Sequence, residues 1–255
     1  MIKVFRKFRV QLTREGKLKR YLLYGLGEIV LVVIGILIAL GIDNWNDDRM
    51  KAHREQIYLT GLQKEFLINK AKLEELIRVN RSNFDAARKI TALISNPDPM
   101  VTEEQFSNLL FQAFANDLAY SPNNSLLNEL ISSGNLNDLS STALRVHLAT
   151  WIATLEDVAK QESDLGIQRN SVVSLLAEEK FSLRKVLDDT GISKELLSLD
   201  PVETGASNFG ILKSTAFENR MLLFMLSCQA TEQEHYQPLL EVIDTILDML
   251  ETQIQ

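Results

Sequence analysis

Cysteine, proline and glycine are all scarce in this sequence of 255 residues. A single cysteine excludes a disulfide framework and a structural zinc site built from cysteines. Five prolines and 11 glycines are too few for a loop-rich β sandwich, a collagen or a disordered linker protein. The sequence also lacks the Gly-x-x-x-x-Gly-Lys, His-Glu-x-x-His and Gly-x-Ser-x-Gly motifs, so it carries none of these familiar signatures of an enzyme.

Charge is plentiful but unevenly distributed. The formal net charge is −7, yet residues 1–42 hold eight basic and two acidic side chains, whereas residues 43–255 hold 19 basic and 32 acidic ones. The acidic body argues against nucleic-acid binding. The basic head in front of it indicates that this part of the chain is associated with a membrane.

One long apolar run follows the basic head. Between residues 21 and 42 the only charged side chain is Glu28, and the stretch from Ile29 to Ile42 is wholly apolar. As a helix, that stretch alone would extend about 21 Å, short of the roughly 30 Å hydrocarbon core of a bilayer, whereas residues 21–42 would extend about 33 Å. The sequence therefore predicts a transmembrane helix over residues 21–42 that includes Glu28, with the lipid bilayer as a partner.

The ends of this segment predict its orientation. Tyr21, Tyr24 and Trp45 would lie in the two interfacial belts. All eight basic residues of the head precede the span, so the positive-inside rule places residues 1–20 in the cytoplasm and residues 43–255 outside it. The competing interpretation is a cleaved signal peptide with a cleavage site at 39–41. The long apolar stretch and the lack of a polar spacer favour an uncleaved anchor.

Small and polar residues share one face of the predicted membrane helix. Gly25, Glu28, Gly35 and Ala39 lie on this face, and Gly35-x-x-x-Ala39 is a spacing that lets two helices approach closely. These four residues are the predicted site of membrane-helix association. Three interpretations of Glu28 stay open: a shallow residue that reaches the cytoplasmic headgroups, a hydrogen-bond partner of another membrane helix, or part of an ion or proton path. The third is the least favoured, because the span has only one such group.

The apolar run and its flanks resemble a known family. The resemblance rests on a Gly-Glu-Ile entry (27–29), a Val-Ile-Gly-Ile-Leu-Ile-Ala-Leu core (33–40) and the exit Asp-Asn-Trp-Asn (43–46), where the family pattern has Asn-Asn-Trp-Asn. These features are similar to a family of uncharacterised bacterial single-pass membrane proteins, known mainly as a domain of unknown function. The match covers roughly the first 60 residues and is looser over 125–136. It implies a Gram-negative inner-membrane protein with a periplasmic domain, and it implies no activity.

Residues 43–255 show helical periodicity almost throughout, which predicts an all-α, elongated antiparallel helical bundle. Long helices are expected over residues 46–95, 141–188 and 214–253, and shorter ones over residues 102–119 and 125–133. The first long helix would continue the membrane helix or follow a short break at 43–46. The boundary signals are a Pro-x-Pro pair at 97–99, a capping box at 102–105 and Gly134 at a helix end. Residues 188–213 are expected to form an irregular, mobile loop with a short helix over 194–199.

The long helices carry apolar seams with the alternating three-residue and four-residue spacing of a coiled coil. Several seam positions are polar, namely Asn69, Asn80, Asn83, Glu162, Arg169, Thr231 and His235. Such residues set register and pairing in coiled coils, which is the favoured interpretation. A ligand pocket inside the bundle is the alternative.

Catalytic and metal-binding residues are hard to find. Glu232-x-x-His235 is half of a carboxylate di-metal motif, but His53 and His147 lack a glutamate three residues earlier, so no metal site is predicted. His235 is expected to be a core or rim histidine. Cys228 lies on an apolar face and is expected to be a buried, unreactive thiol. No cofactor or catalytic residue is predicted.

The leading hypothesis is a non-enzymatic, membrane-anchored interaction or sensory module that binds a protein partner or associates with itself. A cytoplasmic head of about 20 residues is too short to fold into an output domain, so a signal would have to pass through a partner. The alternative is an extracytoplasmic ligand-binding or enzymatic bundle with residues 188–213 as a mobile lid. That alternative requires a concave pocket with convergent polar groups beneath the loop.

Overall fold

A computed structural model describes residues 18–178, 180–202 and 207–254, with side chains from residue 25 onward. It contains two compact units, Met1–Ile57 and Tyr58–Gln255. All regular secondary structure in the described ranges is helical, which confirms the all-α prediction. The α helices are α1 (Leu18–Ser95), α2 (Glu103–Phe114), α3 (Ser125–Ser133), α4 (Thr142–Glu178), α5 (Leu183–Asp189), α6 (Ile192–Glu195), α7 (Thr215–Ala230) and α8 (Gln237–Gln253).

In the first unit the described residues belong to α1. The backbone stays helical through residues 43–46, so the possible break at that point does not occur. Within the described residues, α1 is the one helix long and apolar enough to cross a bilayer, and its apolar window has a mean hydropathy of 2.6 with no buried residue. By length and composition it is a candidate membrane span.

The second unit is built around two apolar clusters. One lies where α1, α3, α4 and α8 meet, and its largest buried side chains are Phe66, Trp151 and Tyr236. The other lies between α1, α2, α4 and α7, with the rings of Phe114 and Phe224 5.1 Å apart. The apolar seams of the sequence supply both clusters, as helical periodicity predicts.

The last long helical segment, from α7 to α8, runs antiparallel to both α1 and α4. Along each pair, residue numbers rise on one helix while they fall on the other. The contacts that show this are Lys70–Asp244, Arg81–Glu232, Gln161–Thr231 and Arg220–Ser171. α1 and α4 therefore run parallel to each other, in agreement with the Phe66–Trp151 ring contact at 5.2 Å, so the predicted antiparallel arrangement holds only for the pairs that involve the last segment.

The helix boundaries signalled by local sequence are found as predicted. Thr102 accepts a hydrogen bond from the backbone N–H of Gln105 at 3.2 Å, and the Gln105 side chain accepts one from the N–H of Thr102 at 3.0 Å. This reciprocal pair is the capping box that opens α2. Gly134 ends α3 with φ at +77°, a left-handed conformation that glycine adopts without steric cost.

Two predicted boundaries are wrong. The helix expected to reach residue 119 ends at Phe114, because Arg169 of α4 hydrogen bonds to the Phe114 carbonyl. The helix expected over 141–188 ends at Glu178, and a separate helix, α5, starts at Leu183. Asn208 holds the backbone between them: its side chain accepts from the N–H of Ser182 at 2.9 Å and donates to the carbonyl of the same residue at 3.1 Å.

The last predicted helix, 214–253, contains an internal irregularity. A π-helical segment, Thr231–Tyr236, lies between α7 and α8, just before Pro238. Proline has no N–H for the helical hydrogen bond and crowds the preceding turn, and a wider π turn accommodates both effects. Pro238 thus coincides with a local change in helix type.

Residues 188–213 contain more regular structure than expected. The short helix lies at Ile192–Glu195 rather than at 194–199, and a 3₁₀ helix spans Asn208–Lys213. Glu103 accepts hydrogen bonds from the Ser207 hydroxyl and, at 3.2 Å, from the backbone N–H of Asn208. The mobility of this segment stays a prediction.

Candidate functional site

The predicted association face lies on an exposed stretch of α1. Every residue from Leu26 to Arg54 is exposed. Glu28, Gly35 and Ala39 point to the same side of the helix by its geometry, and a Cβ added at Gly25 or Gly35 would meet nothing within 4 Å. Nothing among the described residues covers this face, and its pairing with another helix stays a prediction.

Of the predicted interfacial anchors, the described side chain is Trp45. It is exposed, and the guanidinium carbon of Arg49 lies 5.9 Å from its ring centroid, within cation–π range. An amphipathic ring beside a cation suits a membrane–water interface. The side chains of Tyr21 and Tyr24 and the basic residues 1–17 lie outside the described residues.

The second unit buries a carboxylate between two tyrosines. Glu162 of α4 is only 8% exposed. Its Oε1 atom accepts a hydrogen bond from the Tyr236 hydroxyl at 2.6 Å and another from the backbone N–H of Tyr120 at 2.8 Å. The Tyr120 hydroxyl in turn donates to the carbonyl of Asn69 on α1 at 3.0 Å. One carboxylate thus links α4, the final helical segment and the chain between α2 and α3.

Burial sets the electrostatics of this group. Desolvation raises the pKa of the Glu162 carboxyl above its ordinary value, while the hydrogen bonds from Tyr236 and Tyr120 act in the opposite direction. Burial likewise raises the pKa of both tyrosines, and the Glu162 charge adds to this effect. Tyr236 and Tyr120 thus act as neutral hydrogen-bond donors to Glu162, one through its hydroxyl and the other through its backbone N–H, and this pairing positions the backbone of residue 120.

The irregular segment between α2 and α3, residues 115–124 and here called the strap, is held by side chains from two long helices. Asn69 pairs with the backbone of Asn123 in both directions, donating to its carbonyl at 2.8 Å and accepting from its N–H at 2.7 Å. The Trp151 indole N–H donates to the Asn124 side chain at 3.0 Å. Buried polar groups are thus paired with strap atoms that no regular helix would satisfy.

Glu65 is a buried polar residue whose structural role sequence reasoning missed. This buried carboxylate of α1 accepts from the N–H groups of Leu126 at 2.9 Å and Leu127 at 3.4 Å, the first turn of α3. Asn124 makes no side-chain capping bond there, so Glu65 caps α3 from another helix. The available signal was only a charged residue beside the seam position Phe66, because Asn124 before α3 is itself a favoured capping residue type.

The other polar seam residues mostly contact backbone of neighbouring elements. Asn80 donates to the carbonyl of Cys228 at 2.9 Å, and Gln161 donates to the Thr231 hydroxyl at 3.0 Å. Arg169 contacts the end of α2, as described above. These contacts fix which turn of one helix faces which turn of the next, so they support the register interpretation over a shared ligand pocket.

Two surface grooves in the second unit are large enough to consider. A polar groove of about 370 Å³ lies between α4 and the π segment and is lined by Asp157, Asp164, Glu234 and His235 among others. An apolar groove of about 220 Å³ lies between α2, α4 and α5, with Phe111, Val173 and Leu187 among its lining residues. Neither groove is lined by a residue from 188–213, so neither is the pocket that the lid hypothesis requires.

Reactive groups are placed as the sequence suggested. Cys228 is fully buried, and burial raises the pKa of its thiol to about 12, which makes it a poor nucleophile. His235 lies at the rim of the polar groove and His53 is exposed. In the part of the chain that the structure describes, no group of three or more His, Cys, Asp or Glu side chains could hold a metal ion.

Comparison with known proteins gives one match. The model of DUF6090, a family of unknown function, matches residues 28–156, about half of the chain. This range includes the apolar segment from Glu28 onward and both partners of the strap and cap contacts of Glu65, Asn69 and Trp151. No curated protein and no solved structure matches the chain. The expected resemblance to an uncharacterised family is confirmed to this extent: the chain belongs to the DUF6090 family of unknown function.

Proposed function

We propose that this protein is a membrane-anchored helical module that acts by protein contact, through a protein partner or a second copy of itself, and not by catalysis. The observation that carries the proposal is the fully exposed apolar stretch of α1. Apolar surface costs roughly 25 cal/mol for each Å² left in water, so a helix that exposes Leu, Ile and Val on every side is stable only in an apolar surrounding. A bilayer supplies that surrounding for a helix of this length.

The second unit supports a contact function. Its buried polar side chains, such as Glu65, Asn69 and Glu162, are engaged with backbone of neighbouring elements. Such engagement leaves these groups little freedom to bind or transform a small molecule. A solid helical domain tied to a membrane helix is suited to present surfaces to other proteins.

The distribution of basic residues supports a topology for the anchor. Lysine and arginine are concentrated before the span, so we infer a cytoplasmic N-terminus and a second unit outside the cytoplasm. The resemblance of the apolar run to bacterial single-pass membrane proteins adds the inference that the membrane is a Gram-negative inner membrane and that the second unit is periplasmic. A reporter that is active only outside the cytoplasm, fused after Gln255, should be active. Activity of a cytoplasmic reporter at that position would reverse the topology.

The mass of the mature protein separates an anchor from a signal peptide. An uncleaved chain has a mass of 28.9 kDa. Cleavage after residue 41 would remove several kilodaltons, which mass spectrometry of the purified protein would resolve easily. A shortened chain in the soluble fraction would contradict the anchor.

Within the membrane, the face that contains Glu28 and Gly35 is the proposed contact between helices. Glu28→Leu removes a hydrogen-bonding group from this face, and Gly35→Ile blocks the close approach that glycine permits. Each change should weaken cross-linking through the span, whereas Leu31→Ile on another face should not. If both variants cross-link like the parent, Glu28 is only an interfacial residue and the shared face has no role in association.

A further inference from the structure

The loop after α6 exposes an unusual amount of apolar surface. Residues 196–202, here called the leucine loop, include Leu196 and Leu197, which are 74% and 47% exposed, together with the exposed Leu199 and Val202. Single exposed leucines are common on protein surfaces, whereas here four exposed apolar side chains lie within seven residues.

The leucine loop is held in a defined conformation. The N–H of Val202 donates to the Asp188 carboxylate at 3.1 Å, and the N–H of Leu199 donates to the carbonyl of Ser193 at 2.8 Å. Arg184 forms an ion pair with Asp188 and hydrogen bonds to the carbonyl of Asp200. These contacts tie the loop backbone to α5 and α6, while its apolar side chains face solvent.

Backbone strain accompanies this arrangement. Ser198 has φ at +54°, a left-handed conformation that is unfavourable for a residue other than glycine. The strained residue lies between Leu197 and Leu199. Strain of this kind persists where the surrounding structure imposes it, often at binding surfaces.

The same unit contains a concave surface of matching chemistry. The apolar groove between α2, α4 and α5 is lined by hydrophobic side chains, among them Phe111, Phe114, Leu176 and Leu183. Its volume is about 220 Å³. A protein cavity of about 150 Å³ lined by Leu, Ile and Phe is large enough to bind benzene, so this groove has room for a leucine side chain.

We propose that the leucine loop of one copy binds in the apolar groove of a second copy. A chain does not fill its own groove with this loop, since Leu196, Leu197 and Leu199 are exposed and none of them lines it. Each copy offers both a protruding loop and a groove, so two copies can exchange loops reciprocally and close as a two-fold dimer. The inference rests on the proposed membrane anchoring, because anchors in one bilayer raise the effective concentration of the two surfaces.

Site-specific cross-linking in membranes tests this contact with the full chain. Two differently tagged copies are co-expressed, one with Leu197→Cys in the loop and the other with Leu183→Cys at the groove, and a bis-maleimide reagent is added. The matched control replaces Leu183→Cys by Leu222→Cys on α7, because Leu183 and Leu222 are 44% and 43% exposed. Cys228 is buried and stays in place, and the parent chain gives the background.

The loop–groove pair should give a product that carries both tags in about tenfold higher yield than the control pair, as expected when two surfaces are held at high effective concentration. Leu196→Asp, added to the copy with Leu197→Cys, should lower that yield about tenfold, since it places a charge in an apolar contact. Leu196 is exposed, so this change should leave the fold intact. Equal yields for the two pairs, or a product with a different protein in place of the second copy, would overturn the inference.

A third pair separates this inference from the proposed function. Copies with Ala39→Cys, which keep Gly35 for close approach, report association through the membrane span alone. If the Ala39→Cys pair cross-links while the loop–groove pair does not, copies associate through the span and the loop–groove contact is wrong. If neither pair cross-links, self-association itself fails, and the proposed function is left with a different protein as its partner.

Discussion

The two units of this protein depart from the usual arrangement of a water-soluble protein in opposite ways. In the first unit, α1 leaves apolar side chains such as Ile34 and Leu37 exposed, with nothing packed over them. In the second unit, polar side chains such as Glu65, Asn69 and Glu162 lie inside, where apolar residues would be expected. Each departure is informative, because each has a cost in free energy that something else must offset.

The compensation differs between the units. For the buried polar residues it is visible: each engages a backbone group that the surrounding helices cannot satisfy. For the exposed apolar residues of α1, no described residue packs over them, and in our proposal lipid provides the apolar environment. In the second unit, the buried polar side chains therefore point to the backbone groups they satisfy, in the strap and at the start of α3. In the first unit, the exposed apolar side chains indicate that α1 requires an apolar environment.

The largest effect is expected from charges placed in the exposed apolar stretch. The double variant Ile34→Arg and Leu37→Arg should be lost from the membrane fraction, since each arginine near the centre of a span costs roughly 3 kcal/mol on insertion scales. The measurement is the share of the full chain that resists alkaline extraction of membranes.

A matched control keeps this test specific. Ile68 of the second unit is 50% exposed, as is Ile34, and Leu67 next to it is exposed as well. Leu67→Arg with Ile68→Arg should leave membrane retention unchanged, because these residues are expected to face water. Equal retention of both double variants would remove the distinction between the two units.

A large loss of stability is expected from the centre of the second unit. Trp151 is fully buried, its ring lies 5.2 Å from that of Phe66, and its N–H holds the strap at Asn124. Trp151→Ala should lower the free energy of unfolding by about 3–5 kcal/mol, the usual cost of removing a buried tryptophan. Denaturant titration of the full chain in detergent measures this change.

Trp151→Phe separates packing from the hydrogen bond. Phenylalanine keeps most of the ring volume but lacks the N–H, so the Asn124 side chain loses its donor. The expected loss is about 1–2 kcal/mol, close to the cost of one unmade buried hydrogen bond plus a small cavity. If Trp151→Phe loses as much unfolding free energy as Trp151→Ala, then Trp151 stabilises the fold mainly through its hydrogen bond to the strap and not through packing in the apolar core.

The same contrast shows what the sequence could predict. Local signals were sufficient for the capping box at Thr102, the glycine end of α3 and the apolar seams, because the interacting residues are close in sequence or repeat at helical spacing. The exposed apolar stretch was equally predictable, since it needs only composition and length.

The boundaries that could not be predicted depend on side chains that are distant in sequence. α2 ends where Arg169 contacts Phe114, 55 residues away, and the chain breaks after α4 where Asn208 holds Ser182, 26 residues away. The leucines at 183 and 187 continue the seam of α4, so periodicity alone favours one unbroken helix. The contacts of Glu65 and Tyr120 were missed for the same reason, because they form only when the strap and α3 are in place.

A moderate effect is expected at Glu65. Glu65→Ala leaves the N–H groups of Leu126 and Leu127 without an acceptor in a buried setting, which should cost about 2–3 kcal/mol of unfolding free energy. Glu65→Gln keeps one acceptor oxygen and should cost about 1 kcal/mol. Hydrogen exchange of the α3 amides should rise in Glu65→Ala more than exchange in α8. Uniform changes in both helices would show that Glu65 does not act as the cap of α3.

The smallest effect, and the one most specific to a buried charge, is expected at Glu162. Its pKa is raised in the fold, so the carboxyl is favoured when protonated; its stabilising contribution is complete below the ordinary value of 4.5 and is lost as the pH rises through the folded value. Glu162→Gln presents the same acceptor oxygen to Tyr236 and Tyr120 without the charge. The variant should match the parent in stability at acidic pH and become more stable than the parent towards neutral pH. The expected difference is about 1 kcal/mol or less, because the glutamine amide oxygen accepts a weaker hydrogen bond from Tyr236 than the carboxylate does, which offsets part of the free energy gained by removing the buried charge.

Glu156→Gln, exposed on the same helix, is the control and should stay within about 0.5 kcal/mol of the parent. Thermal unfolding of the three chains across this pH range measures the effect, and a parent that gains stability relative to Glu162→Gln as the pH rises would show that the two hydrogen bonds outweigh the cost of burying the charge.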